Sequence, residues 1–172
     1  LNNFAYLRRT QGDSREAELL FRESLEIIPL LNDADRTVVA TTRSTLASTI
    51  ADQGRFNEAL ETAALAVDEY RQRGETDTPS YGFALNVFGG FLTESGELDE
   101  ADATLIEAGT IFSKYLSPTN LWIGDNLRNQ AISLELQGKY DLSIEKADAA
   151  ARMYLENFGK HYDNYPTVLI AK

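Results

Sequence analysis

Few residues of this chain have the type and spacing that catalysis or metal binding requires. His161 is the one histidine, and a catalytic or metal-binding imidazole needs a second imidazole, a thiolate or a nucleophile nearby. The chain has no cysteine, which excludes disulfides, thiolate metal sites and cysteine nucleophiles. Carboxylates such as Glu16, Glu18, Glu58 and Glu61 recur opposite an apolar stripe, and a solvated helix face lacks the cleft that acid–base catalysis needs. Gly89-Gly90 is not followed by the lysine of a phosphate-binding loop. We therefore expect no enzymatic activity, cofactor or metal in this segment.

The charge pattern limits the class of partner. A net charge of −11 argues against nucleic acid, whose binding depends on neutralising phosphates with lysine and arginine. No apolar run is long enough to span a bilayer, so we expect no membrane partner. Residues 85–126 carry one basic and seven acidic side chains. This local excess has two interpretations, a solvated surface that aids solubility or a landing site for a basic segment of a partner.

Four glycines set the framework that must position any site. Gly12, Gly54, Gly96 and Gly138 recur at intervals of 42 residues. A fixed period of this length is typical of stacked supersecondary units that contact mainly their neighbours. The sequence therefore predicts a repeat protein with units of about 1–42, 43–84, 85–126 and 127–168, in one domain spanning 1–172.

Each unit has the pattern of two amphipathic helices joined at the periodic glycine. In the second unit, one apolar side runs from Val39 to Gln53, and the next stripe runs from Phe56 to Tyr70. Gly54 between them can take the left-handed conformation that ends a helix. Alternating apolar runs that would indicate strands are absent from the sequence, so the predicted class is all-α.

The segments between units supply helix starts, and the two termini suggest more chain. Thr76–Pro79 and Ser117–Asn120 each combine N-cap residues with a proline suited to a first turn. The chain begins at Leu1 inside a repeat, and residues 169–172 have the pattern of a further helix pair. We expect a fragment of a longer protein. The aromatic residues near the C-terminus are expected to pack together between repeats, namely Trp122, Tyr154, Phe158, Tyr162 and Tyr165.

The repeated residues resemble the tetratricopeptide repeat (TPR) family. In the second unit the resemblance lies in Leu46, Ala47, Gly54, Phe56, Ala59 and Ala66, and in the third in Leu85, Phe88, Gly89, Gly96, Leu98, Ala101, Leu105 and Ala108. The ordinary period of that family is about 34 residues. The longer period here, with Leu1–Ala5 and Val39–Thr42, looks like the kinesin-light-chain-like subgroup. The resemblance implies a right-handed α-solenoid of helix-turn-helix repeats, about four of them plus the start of a fifth.

The resemblance also implies a binding groove, lined by the first helix of each unit. The residues that would point into it follow the periodic leucine or lie one turn later. They are Asn2, Asn3, Tyr6, Arg9, Thr45, Ser48, Asn86, Gly90, Arg128 and Asn129, with Ser44 and Asp52 beside them. Amide side chains both donate and accept hydrogen bonds, so they can hold a peptide backbone, and an arginine can bind a carboxylate or phosphate.

Two functions from different classes follow from this sequence. The first is a protein-interaction scaffold that binds a peptide or protein segment in the groove. The alternative is the regulatory or sensor region of a multidomain signalling enzyme, either a kinase or a nucleotide-hydrolysing switch protein. Self-association through the exposed ends of the solenoid is a third expectation. A cysteine-free chain fits a reducing compartment, and we expect a cytoplasmic location.

Overall fold

The computed structural model describes residues 1–28 and 37–158, and over these residues the chain is helical without any strand. The elements are α1 (Asn2–Thr10), α2 (Ser14–Ile27), α3 (Thr37–Ala51), α4 (Phe56–Arg73), α5 (Pro79–Ser95), α6 (Leu98–Tyr115), α7 (Leu121–Leu136) and α8 (Tyr140–Phe158). The all-α prediction is confirmed. His161, Tyr162, Tyr165 and the expected helix start at 169–172 lie outside the described residues.

The four periodic glycines are the corners of four helical hairpins, as predicted. Their φ angles are +84° at Gly12, +79° at Gly54, +88° at Gly96 and +75° at Gly138. The residue after each glycine donates its backbone N–H to the carbonyl five positions earlier, and the Gly96 corner does so from Glu97 to Leu92 at 3.0 Å. This bond closes the helix end in the geometry that favours glycine, so the spacing is a backbone requirement.

The hairpins group in pairs into two compact units that divide between Thr76 and Asp77. In the first unit α1 packs on α2, α2 on α3, and α3 on α4. The second unit repeats this order with α5 to α8, and α5 also contacts α7. The last three hairpins span α3–α4, α5–α6 and α7–α8, so units counted in steps of 42 from Leu1 divide α3, α5 and α7.

Small residues allow the two helices of a hairpin to approach closely. Ala5, Ala47 and Ala131 hold the periodic small position and are at most 3% exposed. In the third hairpin Gly89 holds it, and a Cβ added there would lie 2.8 Å from the side chain of Leu105. A bulky partner on α6 therefore explains why glycine replaces alanine at this one position.

The helix starts follow the predicted capping residues with one difference. Thr78 accepts a hydrogen bond from the backbone N–H of Tyr81, and Pro79 is the first residue of α5. Asn120 accepts the corresponding bond from Trp122 at the start of α7. Pro118 lies in the turn before that cap and not in the first turn of the helix. Asn120 caps α7 two residues after the proline, which displaces the helix start.

Two members of the expected aromatic cluster, Trp122 and Tyr154, pack against different helices. Trp122 packs against Phe83 and Phe112, with ring centroids 5.1 Å and 5.9 Å away. Tyr154 is fully buried in a separate core with alanines of α7 and α8, among them Ala131. Trp122 therefore packs between hairpins, as predicted, whereas Tyr154 packs within the fourth hairpin. Within the described ranges, every helix is too short or too polar to cross a membrane.

Candidate functional site

Four of the predicted groove residues line one pocket of about 300 Å³ in the first unit, and they are Asn2, Asn3, Tyr6 and Thr45. The other walls come from α2 and α3, with Phe21, Val38, Thr41 and Thr42. All eight lining residues are uncharged. The tyrosine is 57% exposed, while Phe21 is 2% exposed and lies deeper. The pocket therefore combines an apolar base with amide and hydroxyl groups at its edge.

Asn2 is the polar centre of this pocket. Its Nδ2 donates to Thr42 Oγ1 at 2.7 Å, which holds the start of α1 against α3. Its Oδ1 is buried and has no hydrogen-bond partner among the described residues. A buried acceptor without a donor is destabilising by about 1–3 kcal/mol, so an N–H group supplied from outside would remove that penalty. Asn2 and Asn3 also line a neighbouring pocket of about 350 Å³ beside Ile27 and Ile28.

The remaining candidates of the first unit bond within the protein. Arg9 Nε donates to Asp52 Oδ2 at 2.6 Å, so this arginine is paired across α1 and α3. Ser48 donates its hydroxyl to the carbonyl of Ser44 at 3.4 Å. Ser44 is fully buried, which contradicts its expected place on an open face. Its hydroxyl donates to the carbonyl of Ala40 at 3.1 Å, within α3.

In the second unit the structure brings Asn86 and Asn129 together, with Asn86 as the acceptor. Asn129 Nδ2 lies 3.3 Å from Asn86 Oδ1 and 3.4 Å from the Asn86 carbonyl oxygen. Asn86 is only 6% exposed. Its side-chain oxygen therefore serves the packing of α5 on α7, and Asn129 stands nearer to the solvent.

Two amides that the sequence analysis missed complete this cluster. Asn126 donates to Asn86 Oδ1 at 3.1 Å and to the carbonyl of Leu105 at 2.9 Å. Gln130 donates to Asn126 Oδ1 at 2.7 Å. The sequence contains a signal for Asn126. This residue lies 84 residues, or two glycine periods, after Thr42, which accepts the hydrogen bond from Asn2.

Arg128 and Gly90 are the last two candidates. Arg128 is half-buried on α7, and its buried Nε–H has no acceptor in residues 1–28 and 37–158. No described carboxylate forms a salt bridge with it. A Cβ added to Gly90 would lie 3.4 Å from Asn129 Nδ2, so these two residues are neighbours across α5 and α7. Arg128 and Asn129 are consecutive residues of α7.

Most acidic side chains of the third hairpin lie near its corner. Glu94, Glu97, Asp99 and Glu100 are exposed around the Gly96 corner. Partial removal of water raises the pKa of Glu94 above its ordinary value. Within residues 1–28 and 37–158 no three metal-ligating side chains come together as a cation site.

Comparisons with known proteins identify the fold. No family model matches this chain, and no curated protein matches its sequence. Among solved structures, BtubC (BKLC) from P. vanneervenii is 20% identical with a TM-score of 0.78, and the match covers 97% of this chain and 66% of that one. The chain thus spans slightly less than two thirds of the BtubC length.

A candidate kinesin light chain from Podosopora anserina, with nearly identical TPR-like repeats, is 15% identical with a TM-score of 0.72, covering 99% of this chain and 81% of that one. A variant of that protein is also 15% identical, with a TM-score of 0.73, and the match covers 99% of this chain and 80% of that one. These likenesses show a TPR-like helical-repeat fold of the kind found in kinesin-light-chain-like proteins.

Proposed function

We propose that this chain is a protein-interaction scaffold that binds an extended peptide segment along the first helices of its hairpins. The observation that carries the proposal is the first-unit pocket, where no described residue donates to the buried Asn2 Oδ1 and the neighbouring candidates are exposed. Backbone N–H groups of an extended peptide are donors that do not depend on sequence, so one of them can satisfy this oxygen. Tyr6 and Asn3, both exposed, would contact the same segment.

A second contact is proposed on α7. Arg128 has no carboxylate partner among the described residues, and its guanidinium can bind a carboxylate or phosphate of the peptide through two parallel hydrogen bonds. Asn129 beside it has an amide oxygen that can accept a peptide N–H. Gly90 would leave room for the peptide because it has no side chain.

The test is a binding measurement on single variants. A displayed peptide library is selected on the wild-type chain, and the affinity of the enriched peptides is then measured by fluorescence polarisation. Asn2→Leu and Tyr6→Ala should each weaken binding by about tenfold, since one removes the acceptor and the other an exposed ring. Arg128→Gln should weaken only those peptides that carry an anionic group.

The control variant lies on a second helix, away from the candidate residues. Leu65 is 53% exposed on α4, so Leu65→Ser should leave every affinity unchanged. Unchanged binding by both Asn2→Leu and Tyr6→Ala would exclude the first-unit pocket as the site. Failure to enrich any peptide would exclude the scaffold function for this segment.

We also infer that part of the partner is basic. This inference rests on the acidic side chains of the third hairpin. Its four exposed carboxylates around Gly96 would attract lysine and arginine, with an affinity that falls steeply with salt. Replacing Glu97 and Glu100 with glutamine should reduce that salt dependence. An unchanged salt dependence would leave the acidic surface as a solubility feature only.

Self-association is proposed through α1. Leu1, Phe4 and Leu7 are 53%, 44% and 48% exposed, an apolar row that water contacts in a single chain. Sedimentation at rising concentration should show a mass above the monomer, and Phe4→Ser should restore the monomer. A monomer at every concentration would exclude this contact. The cytoplasmic location stays a proposal, which a tagged full-length protein would test.

A further inference from the structure

Polar contacts of the first unit recur in the second unit after a shift of 84 residues, twice the glycine period. Gln53 Nε2 donates to Glu18 at 2.7 Å, and 84 residues later Gln137 Nε2 donates to Asp102 at 2.8 Å. Corresponding positions in the two units therefore have corresponding neighbours. Where the residue types differ, the second unit shows which group the first unit lacks.

The shift places Asn2 of the first-unit pocket at the position of Asn86. Asn86 Oδ1 accepts hydrogen bonds from two side-chain amides of α7, from Asn126 at 3.1 Å and from Asn129 at 3.3 Å. The nitrogen of Asn129 also lies 3.4 Å from the backbone carbonyl oxygen of Asn86. A primary amide nitrogen carries two hydrogens, so this one group can serve both acceptors.

In the first unit the two donor positions are held by Thr42 and Thr45. Thr42 Oγ1 accepts a hydrogen bond from Asn2 Nδ2 at 2.7 Å. The hydroxyl of Thr45 donates to the carbonyl of Thr41 at 3.0 Å, within its own helix. No residue in the described ranges donates to Asn2 Oδ1, although that atom is buried. The amide that α7 provides in the second unit has no counterpart on α3, and both threonines line the pocket of about 300 Å³.

We propose that the first-unit pocket takes the side chain of an asparagine or glutamine of the bound peptide, whose NH₂ group donates to Asn2 Oδ1. We rest this on the proposed peptide-binding function and narrow its donor from any backbone N–H to a primary amide. The bound amide takes the place that Asn129 holds in the second unit. The peptide thus completes in the first unit a bond that the second unit forms from its own side chains.

Other donors match the pocket less well than a primary amide does. A backbone N–H or a hydroxyl has one hydrogen, whereas the Asn129 nitrogen lies within 3.4 Å of two oxygens of Asn86. An ammonium group would lose its hydration among lining side chains of which none is charged. A primary amide is neutral, and its oxygen can accept a hydrogen bond from Asn3, which lines the same pocket and is exposed.

Exchange of corresponding residues tests the pocket without any peptide. Thr45→Asn should supply the missing donor from α3 and raise the urea midpoint of far-UV ellipticity by about 0.5 M, because threonine and asparagine have similar helix propensities. In the Asn2→Leu background the same substitution should give no increase, since the acceptor is gone. The reverse exchange, Asn129→Thr, should lower the midpoint by a smaller amount, because Asn126 still donates to Asn86 Oδ1.

The matched control is Thr110→Asn on α6. The hydroxyl of Thr110 also donates to a carbonyl four residues earlier, that of Ile106 at 2.9 Å, but its side chain is exposed. Thr110→Asn should therefore leave the urea midpoint and every peptide affinity unchanged. This variant separates the effect of an amide in the pocket from the effect of the substitution type.

The peptides enriched on the wild-type chain provide the second measurement. They should share an asparagine or glutamine, and its replacement by the isosteric aspartate or glutamate should weaken binding about tenfold in fluorescence polarisation. Thr45→Asn should weaken the amide-bearing peptides by a similar factor, because the internal amide then occupies the acceptor.

Enriched peptides that share no primary amide, or that bind as tightly after its replacement, would overturn the amide pocket and leave the scaffold function in place. So would a folded Thr45→Asn chain whose midpoint is no higher than that of Thr110→Asn. If Thr45→Asn shows no cooperative transition, Asn129→Thr decides: a lowered midpoint supports the amide pocket, and a wild-type midpoint overturns it. A library that yields no peptide at all removes the scaffold function, and the amide pocket with it.

Discussion

Asn126 donates its side-chain amide to Asn86 Oδ1 at 3.1 Å across 40 residues of sequence. The first unit contains the same relationship at the same separation, because Asn2 is hydrogen bonded to Thr42 at 2.7 Å. In both cases a first helix is joined to the first helix of the next hairpin by a polar bond. Packing between hairpins in this chain therefore depends on amide chemistry as well as on apolar burial.

Gly109 on α6 is the residue that makes room for the amides of the second unit. A Cβ at this position would lie 2.7 Å from Asn126 Oδ1 and 3.3 Å from Gln130 Nε2. In an ordinary helix, glycine-to-alanine stabilises by about 1 kcal/mol, but a displaced buried amide costs about 1–3 kcal/mol. We therefore expect Gly109→Ala to lower the free energy of unfolding, measured by urea titration of Trp122 fluorescence.

The matched control for Gly109 is Gly90 on α5. An added Cβ there meets only Asn129 Nδ2 at an ordinary contact distance of 3.4 Å. Gly90→Ala should therefore leave stability unchanged or raise it by up to about 1 kcal/mol. Equal destabilisation by both substitutions would show that helix interiors here reject alanine for a reason other than the amide cluster.

The corner glycines and the helix pairs were predictable because their signals are local. The φ of Gly96 follows from its place at a helix end, and the caps at Thr78 and Asn120 follow from side chains that bond their own backbone. Ser44, Asn86 and Glu18 were misjudged as open positions, and all three are buried. Their burial depends on which helix of a neighbouring hairpin covers them, and a period within one hairpin does not contain that information.

A substitution at Gly96 tests the corner directly. Its φ is +88°, and a Cβ there would meet no atom within 4 Å, so backbone strain is the only cost. Alanine in the left-handed region costs about 1–2 kcal/mol, and asparagine costs less because it tolerates that conformation. We expect Gly96→Ala to lower the urea midpoint of Trp122 fluorescence, and Gly96→Asn to lower it by a smaller amount. Wild-type midpoints for both variants would show that backbone strain at position 96 does not affect stability.

The buried carboxylate of Glu18 in the first unit gives a prediction for acid pH. Burial raises the pKa of Glu18, but hydrogen bonds from Gln53, Arg22 and Arg55 outweigh it and hold this pKa below its ordinary value. The unfolded chain therefore binds a proton at this site at a higher pH than the folded chain does. The resulting stability is present above about pH 4.5 and is lost as the pH falls through the folded pKa.

The measurement is the free energy of unfolding from ellipticity at several pH values between about 2.5 and 7. Glu18→Gln should be less stable than the wild type at pH 7 and should lose less stability on acidification. Glu61 on α4 is exposed, so Glu61→Gln should keep the wild-type pH dependence. An acid slope in Glu18→Gln as steep as that of the wild type would remove Glu18 as its source.

Tyr154 joins α8 to α7 by a hydrogen bond that can be removed without changing the packing. Its ring is fully buried, and its hydroxyl donates to Asp125 Oδ1 at 2.6 Å. Tyr154→Phe keeps the ring and deletes a bond to a charged acceptor, which contributes about 1.5–3 kcal/mol. We expect this loss in Trp122-detected urea unfolding, at the lower end of that range because Asp125 is half-buried and can bind water instead. Tyr140 is 65% exposed, so Tyr140→Phe is the matched control and should have no effect. Equal stability of the two variants would mean that the hydroxyl of Tyr154 adds nothing to its buried ring.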